Sequence, residues 1–492
     1  MKQTKFYFTL FALLFVVQCV MSAPLKNMEV RLTQPNGEVI QCYASGDEFY
    51  NYLHDAHGFT IVQGDGGYYY YAMYDTAGQV VPSAYKVNSV DPASVGLQPR
   101  VLISEQEYLG RRQAFEQYVK QPQKSSREIN HGRYNNLVVF IRFAGDSYHS
   151  TTASTVDSMF NAARYESISL RNFYHRSTYN QLDLRSYFYP VPEGETILSY
   201  EDIHPKQYYQ PYDATTNPIG YHDEDRAERE FSLLERAIYY VADMVPDTLD
   251  LDYNDDGMVD NVVFVCKGEV GDWNALLWPH RWSIWDRYVP LNGLQVFDFN
   301  LQLEQGGYFN VSTLCHEMCH SLGAPDLYHY NGGIDPVGSW DLMCGTAEPP
   351  QHQGSYIKYK YGHWIDDIPE INAYGTYELE AVSWEGNRRN AYRIKLTNDQ
   401  YLLLEYRNDR DLFDSHVPDG GLLIFRIDTR FDGNAGWNGT NQFDEVYLFR
   451  PNGTVNEAGD LDRANFCAER ERTEFSRITN PSVFLTNGQS ID

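Results

Sequence analysis

The segment CHEMCHSLGAPD, residues 315–326, constrains the chain most, because it holds two histidines four positions apart with a glutamate between them. Residues four apart share a face of an α-helix, so His316 and His320 can direct imidazole nitrogens at one metal ion. Cys315 and Cys319 have the same spacing, but each is rotated by about 100° from the histidine that follows it. One helical turn therefore cannot bring all four side chains around an ion, which excludes a structural site of mixed cysteine and histidine.

The ends of this helix predict where a third ligand comes from. Ser312 is a good N-cap, and Gly323 can take the left-handed backbone conformation that ends a helix. The chain can then turn back beneath the ion, so that Asp326 supplies an anionic oxygen. The pattern His-Glu-x-x-His-x-x-Gly-x-x-Asp predicts a catalytic zinc site; a core helix formed by chance has no reason to carry two histidines and a glutamate.

The number of ligands predicts the chemistry. Three protein ligands leave one position on zinc for water, whose pKa the metal lowers. Glu317 is the predicted general base that accepts the proton from this water and later returns it to the leaving amine. In the following loop, DPVGSWDLMCGT, Met343 is the candidate for a methionine turn beneath the metal, and it can equally fill a gap in the core. Cys319 and Cys344 are predicted to be buried packing residues, with a disulfide as the alternative.

A second metal site is predicted in DLDYNDDGMVD, residues 250–260. Calcium loops place oxygen ligands at positions one, three, five and nine, with glycine at the sharp turn. Here those positions hold Asp252, Asn254, Asp256 and Asp260. Position twelve is valine instead of glutamate, so this is not a full EF-hand, and a solvated acidic turn is the alternative.

The net charge excludes one class of function. The chain has 492 residues and a formal net charge of −28, from 39 Lys and Arg against 67 Asp and Glu. Such a surface repels phosphate backbones and anionic membranes, so we expect no nucleic-acid partner. The sequence does not indicate an oligomeric state.

The N-terminus predicts export. Its first residues, MKQTKFYFTLFALLFVVQCVMSA, combine two lysines, a short apolar run and small residues, the pattern of a secretory signal peptide. We expect cleavage after Ser22, no stable membrane insertion, and a secreted protein outside the cell or at its surface. A lipid anchor on Cys19 is disfavoured because Gln18 stands where such signals have a small residue.

The pattern of elements along the chain predicts an α+β fold in several parts. Residues 1–22 form the signal peptide, and residues 23–133 form a β-rich domain with a linker. The catalytic domain spans residues 134–370, and an antiparallel β domain, predicted as a sandwich, spans residues 371–492. The polar, basic linker QPQKSSREINHGR offers Lys124, Arg127 and Arg133 as cleavage points.

The segments GDEFYNYLHDAHGFTIVQ, HEMCHSLGAPDLY, PVGSWDLM and YLLLEYRN, in this order after a signal peptide, resemble the immune inhibitor A family of secreted bacterial zinc metallopeptidases. The resemblance implies that residues 23–133 are a propeptide with its linker, and hence that the protein is made as a zymogen. It also implies a zincin-type, metzincin-like catalytic domain with a mixed sheet, a β-rich C-terminal region, zinc, and often calcium. By position it assigns the zinc ligands to His316, His320 and Asp326, the catalytic glutamate to Glu317 and the turn to Met343.

The resemblance also raises a question about Cys42 in the propeptide. Its thiolate could occupy the open zinc position and silence the zymogen, and a buried strand cysteine is the alternative.

The predicted function is therefore that of a secreted zinc endopeptidase that acts on protein or peptide substrates. A calcium-stabilised adhesin or binding protein on the same scaffold is the competing class, and an intact Glu317 argues against it. A zinc amidase shares the chemistry and differs in the cleft. Tyr328 and Tyr356 are candidates for the residue that stabilises the oxyanion.

Overall fold

The computed structural model describes residues 25–46, 50–104, 106–108, 110–111, 130–222, 225–268, 276–305, 309–329, 334–386, 389–434, 436–437 and 442–491. The predicted signal peptide and the linker residues Lys124 and Arg127 lie outside these ranges. None of the helices searched in the described ranges has the length and apolar character that crossing a membrane requires.

An antiparallel six-stranded sheet forms the N-terminal part of the protein, with its strands in sequence order. Turns at DGG and DTAG separate its short strands, as the sequence predicts. Cys42 is 2% exposed in its core. The strands are β1 (Leu25–Thr33), β2 (Val39–Gly46), β3 (Asn51–His54), β4 (Thr60–Gln63), β5 (Tyr69–Tyr74) and β6 (Val80–Lys86).

The central part of the protein contains nine strands and five helices in the described residues. The strands are β7 (Gly132–Arg142), β8 (Leu182–Phe188), β9 (Tyr200–Glu201), β10 (Met258–Val259), β11 (Val262–Cys266), β12 (His280–Ser283), β13 (Pro290–Leu291), β14 (Leu294–Val296) and β15 (Asp298–Leu303). The helices are α1 (Ala153–Asn161), α2 (Leu170–Ser177), α3 (Arg226–Val241), α4 (Val311–Ser321) and α5 (Ser355–Lys360).

A mixed sheet organises this part of the protein. Its order is β12-β15-β11-β7-β8, and β9 also pairs with β7. All neighbours are parallel except β12 and β15, which pair antiparallel at one edge. The apolar run NNLVVFIRFAG predicts a buried central strand, and β7 is buried continuously from Tyr134 to Ile141. Strands β10, β14 and β13 form a separate small sheet.

The two faces of the central sheet belong to two hydrophobic clusters. Alternate residues of β11 divide between them: Val262 and Phe264 pack in the cluster that contains α3, whereas Val263 and Val265 pack in the cluster that contains α4. Helix α3 buries the apolar face that the sequence predicts. The N-terminal sheet shares the α3 cluster, so its core lies on the side of the central sheet opposite the α4 helix.

The C-terminal region differs from the predicted sandwich. It forms one four-stranded antiparallel sheet, in the order β16-β17-β18-β21, and a small hairpin of β19 and β20. TYELEAVSW was expected to be a strand, but it makes only a bridge between Ala381 and Tyr406. The strands are β16 (Ala391–Lys395), β17 (Gln400–Arg407), β18 (Gly421–Asp428), β19 (Gly436–Trp437), β20 (Gln442–Phe443) and β21 (Val446–Leu448).

One face of this sheet packs against the central part of the protein. Leu403 and Phe425 belong to the same hydrophobic cluster as α4 and Met343. A buried ion group reinforces the contact: Arg407 donates to Asp414 and Glu405, and Glu405 accepts from Ser355 N at the start of α5. Residues on both sides of the predicted boundary at 370/371 thus share one core. The expected α+β class is confirmed, and the C-terminal sheet is built into the structure around α4.

Candidate metal centre

Helix α4 carries the metal-binding motif, and its two ends are fixed by local hydrogen bonds. Asn310 is the N-cap, with Oδ1 accepting from Thr313 N at 2.9 Å, so the prediction that Ser312 caps the helix is wrong. Ser312 lies inside the first turn and donates to Ala347 O instead. At the other end, Gly323 has φ of +99°, the left-handed conformation that the sequence predicts.

Three side chains meet at one point beside α4. His316 Nε2 lies 3.0 Å from His320 Nε2, and Asp326 Oδ1 lies 3.2 Å from both nitrogens. Among the described residues, they are the one group of three or more histidine, cysteine or acidic side chains whose ligand atoms lie within 4.8 Å of one another. The structure therefore brings together the three residues that the sequence pattern selected.

The hydrogen bonds of the two imidazoles show which nitrogens face the centre of this group. His316 Nδ1 lies 2.9 Å from Leu342 O, and His320 Nδ1 lies 2.8 Å from Ala324 O. A carbonyl oxygen only accepts, so each Nδ1 carries a proton and each neutral imidazole keeps its lone pair on Nε2. Both lone pairs point toward the Asp326 carboxylate.

This donor set fits a zinc ion. Two imidazole nitrogens and one carboxylate oxygen repel one another at 3.0–3.2 Å unless a cation lies between them. A tetrahedral zinc ion with ligand distances of about 2.0–2.1 Å separates its ligand atoms by roughly 3.3–3.4 Å. Small outward shifts of the three side chains are therefore sufficient to hold the ion.

Electrostatics favours the ligating form of Asp326. Burial alone would raise the pKa of its carboxyl, but the imidazoles of His320 and His316, in the protonated form that they can take without a metal, outweigh this and hold the pKa well below its usual range. The carboxylate is therefore ionised at the pH of any ordinary assay. His316 is fully buried, whereas the side chain of His320 is 15% exposed, so the group reaches solvent on the His320 side.

Glu317 lies on α4 directly after His316. The residue is 3% exposed, and its position on the helix rotates it about 100° from His316. It is therefore next to His316 on the helix and is not a member of the three-residue group.

The loop that contains Met343 lies against the group through its backbone. Leu342 O accepts from His316, and Met343 O accepts from Leu327 N at 2.8 Å. Asp341 Oδ1 fixes the turn by accepting from Met343 N at 2.8 Å. The Met343 side chain is fully buried. This loop thus holds both the first histidine and the residue after Asp326.

The cysteines near α4 act as packing residues. All six cysteines in the described residues are free thiols, so Cys319 and Cys344 form no disulfide there. Cys319 Sγ accepts from Gln353 Nε2 at 3.4 Å, and Cys344 Sγ accepts from Gly338 N at 3.0 Å. Burial raises the pKa of the Cys319 thiol to about 12, which keeps it neutral.

The acidic loop of residues 252–260 does not support the predicted calcium site. Asp252 accepts from Asp256 N and Gly257 N at 2.9 and 2.8 Å, and Asp260 accepts from Tyr253 N at 2.9 Å. These carboxylates cap the backbone of the loop, and they form no ligand group of the kind found at α4 within the described residues. Asn254 bonds only within the loop, through Asp256.

Of the two tyrosine candidates, Tyr356 is held by another partner. Its hydroxyl donates to Glu445 Oε1 at 2.7 Å, and burial together with this carboxylate raises its pKa far above the usual value. Tyr328 is 1% exposed and follows Asp326 by two residues. Tyr328 therefore remains the candidate nearer to the metal-binding residues in the chain.

A chain of buried polar side chains crosses the central sheet to α4, and sequence reasoning missed it. Asn136 Nδ2 donates to Ser186 Oγ at 3.1 Å, and Asn261 Nδ2 donates to Asn136 Oδ1 at 2.7 Å. Asn300 Nδ2 continues the chain to Asn261 Oδ1 at 2.6 Å and to Ser321 Oγ at 3.0 Å. Ser321 follows His320. The available signal was an asparagine in or beside each of three buried strands.

Comparison with known families agrees with this geometry. The family model "Immune inhibitor A peptidase M6, catalytic domain" matches residues 254–359, which include α4, Asp326 and Met343. A search of curated proteins finds no match. The match confirms the predicted resemblance to the immune inhibitor A family over these residues, and it indicates that this part of the chain is a metallopeptidase catalytic domain, which hydrolyses the peptide bonds of proteins.

Proposed function

We propose that this metallopeptidase is a secreted zinc endopeptidase of the zincin type, made as a zymogen. The observation that carries the proposal is the convergence of two imidazole Nε2 lone pairs and an ionised carboxylate on one point. His316, His320 and Asp326 would hold the ion. When bound, zinc would lower the pKa of a water molecule and polarise the scissile carbonyl.

The protein's own residues supply proton transfer and orientation. Glu317 accepts the proton of the attacking water and returns it to the leaving amine. Leu342 O and Ala324 O hold the two imidazoles in the tautomer that binds metal through Nε2. Met343 and its neighbours hold His316 and the segment after Asp326 in place, which is the role of a methionine turn.

The edge of the central sheet is suited to a peptide substrate. Strand β12 is the last strand on that side in the described residues, and helix α4 follows its antiparallel partner β15 in the chain. An extended peptide can add to such an edge through main-chain hydrogen bonds. This supports an endopeptidase over an amidase for small molecules, because an edge strand binds several residues of polypeptide.

The proposed zymogen does not need Cys42 as a switch. Its thiol is buried in the N-terminal sheet, on the side of the central sheet opposite α4, and burial raises its pKa to about 12. A neutral, buried thiol is a poor zinc ligand. We therefore assign Cys42 to packing and propose that cleavage of the linker activates the enzyme.

Two observations support a cleavage site before Asn130. Arg133 lies in β7, where it pairs with Asp183 of β8, so its backbone is protected by the sheet. Asn130 is 4% exposed, and its Nδ2 donates to Leu322 O and Tyr361 O at 3.0 Å each. A protease needs an extended, accessible segment, so the processed chain should keep Asn130 and everything after it.

We therefore expect N-terminal sequencing of the activated chain to place the new terminus within residues 122–130. Replacing both Lys124 and Arg127 with Gln should slow trypsin-driven activation at least about tenfold, whereas Arg133→Gln should leave it unchanged. A new terminus at Tyr134 would contradict this expectation.

The direct test of the proposal combines two measurements on the processed chain: zinc content, and hydrolysis of casein. We expect one zinc per chain and casein hydrolysis that a chelator abolishes. A folded chain that binds zinc and cleaves neither casein nor a peptide library would favour the binding-protein alternative.

A further inference from the structure

The C-terminal region touches the chain at the third metal-binding residue. Asn434 N donates to Asp326 O at 3.1 Å, and Asn434 Nδ2 donates to Leu327 O at 2.8 Å. Two consecutive carbonyls, one on Asp326 and one on its neighbour, are thus fixed by a residue more than a hundred positions later in the sequence.

The amide of Asn434 is itself held rigidly. It is 1% exposed, its Nδ2 donates to Val446 O at 2.7 Å, and its Oδ1 accepts from Val446 N at 2.9 Å. Val446 is the first residue of β21, which pairs with β18 in the C-terminal sheet. Asn434 therefore links that sheet, through hydrogen bonds, to the segment that contains Asp326.

Gly433 allows the close approach. It has φ of +78°, and a Cβ atom built on it would lie 2.8 Å from Asp326 O and 2.8 Å from Pro325 Cβ. Its N–H donates to Glu445 Oε2 at 2.5 Å, which fixes the glycine from the other side. There is no space for a side chain between this backbone and that of Asp326.

The surrounding contacts fix the loop before Met343 in the same way. Leu448 N donates to Pro336 O at 3.0 Å, and Arg450 donates to Pro336 O and Asp335 O at 2.9 Å each. Trp340 Nε1 donates to Leu461 O at 2.7 Å. The C-terminal region therefore holds both chain segments that complete the metal centre after α4.

We propose that Gly433 and Asn434 form a clamp that positions Asp326 for metal binding, so that the C-terminal region is part of the metal centre. This inference rests on the proposed zinc site. Partners that orient a metal ligand from outside the coordination sphere change metal affinity by about 10- to 100-fold when removed. Asn434 acts as a positioning residue, because its bonds reach Asp326 only through the backbone.

Two variants test the clamp, each with a matched control. Gly433→Ala pushes a methyl group against Asp326 O, and Gly293→Ala is its control, because Gly293 has φ of +83° and no atom within 4 Å of the added carbon. Asn434→Asp removes both donated side-chain bonds, and Asn465→Asp is its control. Asn465 is fully buried in the same region, and its Nδ2 donates to Gly420 O at 2.6 Å.

The readouts are zinc dissociation constants, from competition with a chromogenic chelator, and unfolding temperatures of the zinc-free proteins. We expect zinc to bind about 10- to 100-fold more weakly to Gly433→Ala and Asn434→Asp than to the parent. Each control should bind zinc within about threefold of the parent, and the zinc-free unfolding temperatures show how far each substitution destabilises the fold itself.

The possible results distinguish failure of the clamp proposal from failure of the proposed zinc site. If the parent binds zinc and both clamp variants bind it equally well, the clamp is wrong and the zinc site stands. If the parent binds no zinc, the proposed function fails first. Should Asn434→Asp not fold, Gly433→Ala decides alone, because it removes no hydrogen-bonding group.

Discussion

Glu317→Gln is expected to lower kcat/KM for casein by about 10²- to 10⁴-fold, the usual contribution of a general base. The amide has the size of the carboxylate but cannot accept the proton of the attacking water. Because Glu317 lies beside the three metal-binding residues without joining them, the variant should keep the zinc content of the parent. The measurement is casein hydrolysis by the processed protein, with zinc determined on the same sample.

The control for this experiment is Glu230→Gln. Glu230 is a buried glutamate of α3, 3% exposed, and it pairs with His280 Nε2 at 3.0 Å on the opposite face of the central sheet. Replacing Glu230 tests whether the loss of a buried glutamate lowers activity simply because it destabilises the fold. If Glu317→Gln kept the activity of the parent, Glu317 would not be the base, and the mechanism would need another proton acceptor.

Local periodicity was sufficient to predict the central features of the site. His316 and His320 are four residues apart on a helix, and Gly323 ends that helix in the conformation that its sequence suggests. Asp326 then arrives within reach because the chain has only two residues in which to turn. The sheet was predictable for a similar reason, since a continuous apolar run such as that of β7 can be buried only between other strands.

The parts that could not be predicted depend on contacts between distant segments. The carbonyls that fix the imidazole tautomers belong to Leu342 and Ala324, and every residue has a carbonyl, so no residue type marks them. Asn434 meets Asp326 only after the C-terminal sheet has folded. The sandwich was expected from alternating strands alone. Alternation shows that one face of a sheet is buried, but it does not show what covers that face. Here the covering surface is α4 and the Met343 loop instead of a second sheet.

The calcium prediction shows the limit of spacing as a signal. Positions one, three, five and nine of the loop do carry oxygen side chains, yet Asp252 uses both of its oxygens on backbone N–H groups. An aspartate in a tight turn often accepts hydrogen bonds from backbone N–H groups, because its short side chain reaches the backbone two or more residues ahead. At α4, by contrast, Asp326 Oδ1 lies 3.2 Å from the Nε2 atoms of both histidines.

Asp326→Asn should remove most of the zinc affinity while it leaves the fold in place. The asparagine keeps the shape of the side chain and its backbone contacts with Asn434, but it offers a neutral amide where the site holds an anionic oxygen. Structural zinc sites gain roughly 10–16 kcal/mol from four ligands, or about 3 kcal/mol for each, so we expect zinc to bind about 10²-fold more weakly or worse.

A control variant shows whether Asp326 acts as a metal ligand or only as a buried acid. Asp202→Asn is the control, because Asp202 is 1% exposed and is held by Arg236 and Tyr209 in the α3 cluster instead of by histidines. Both variants lose a buried charge, so both can lower the unfolding temperature. Only Asp326→Asn should lose zinc to a chelator and lose casein hydrolysis with it, and millimolar zinc should restore part of that activity by mass action. If Asp326→Asn retained zinc as tightly as Asp202→Asn, the third ligand would have to be another residue.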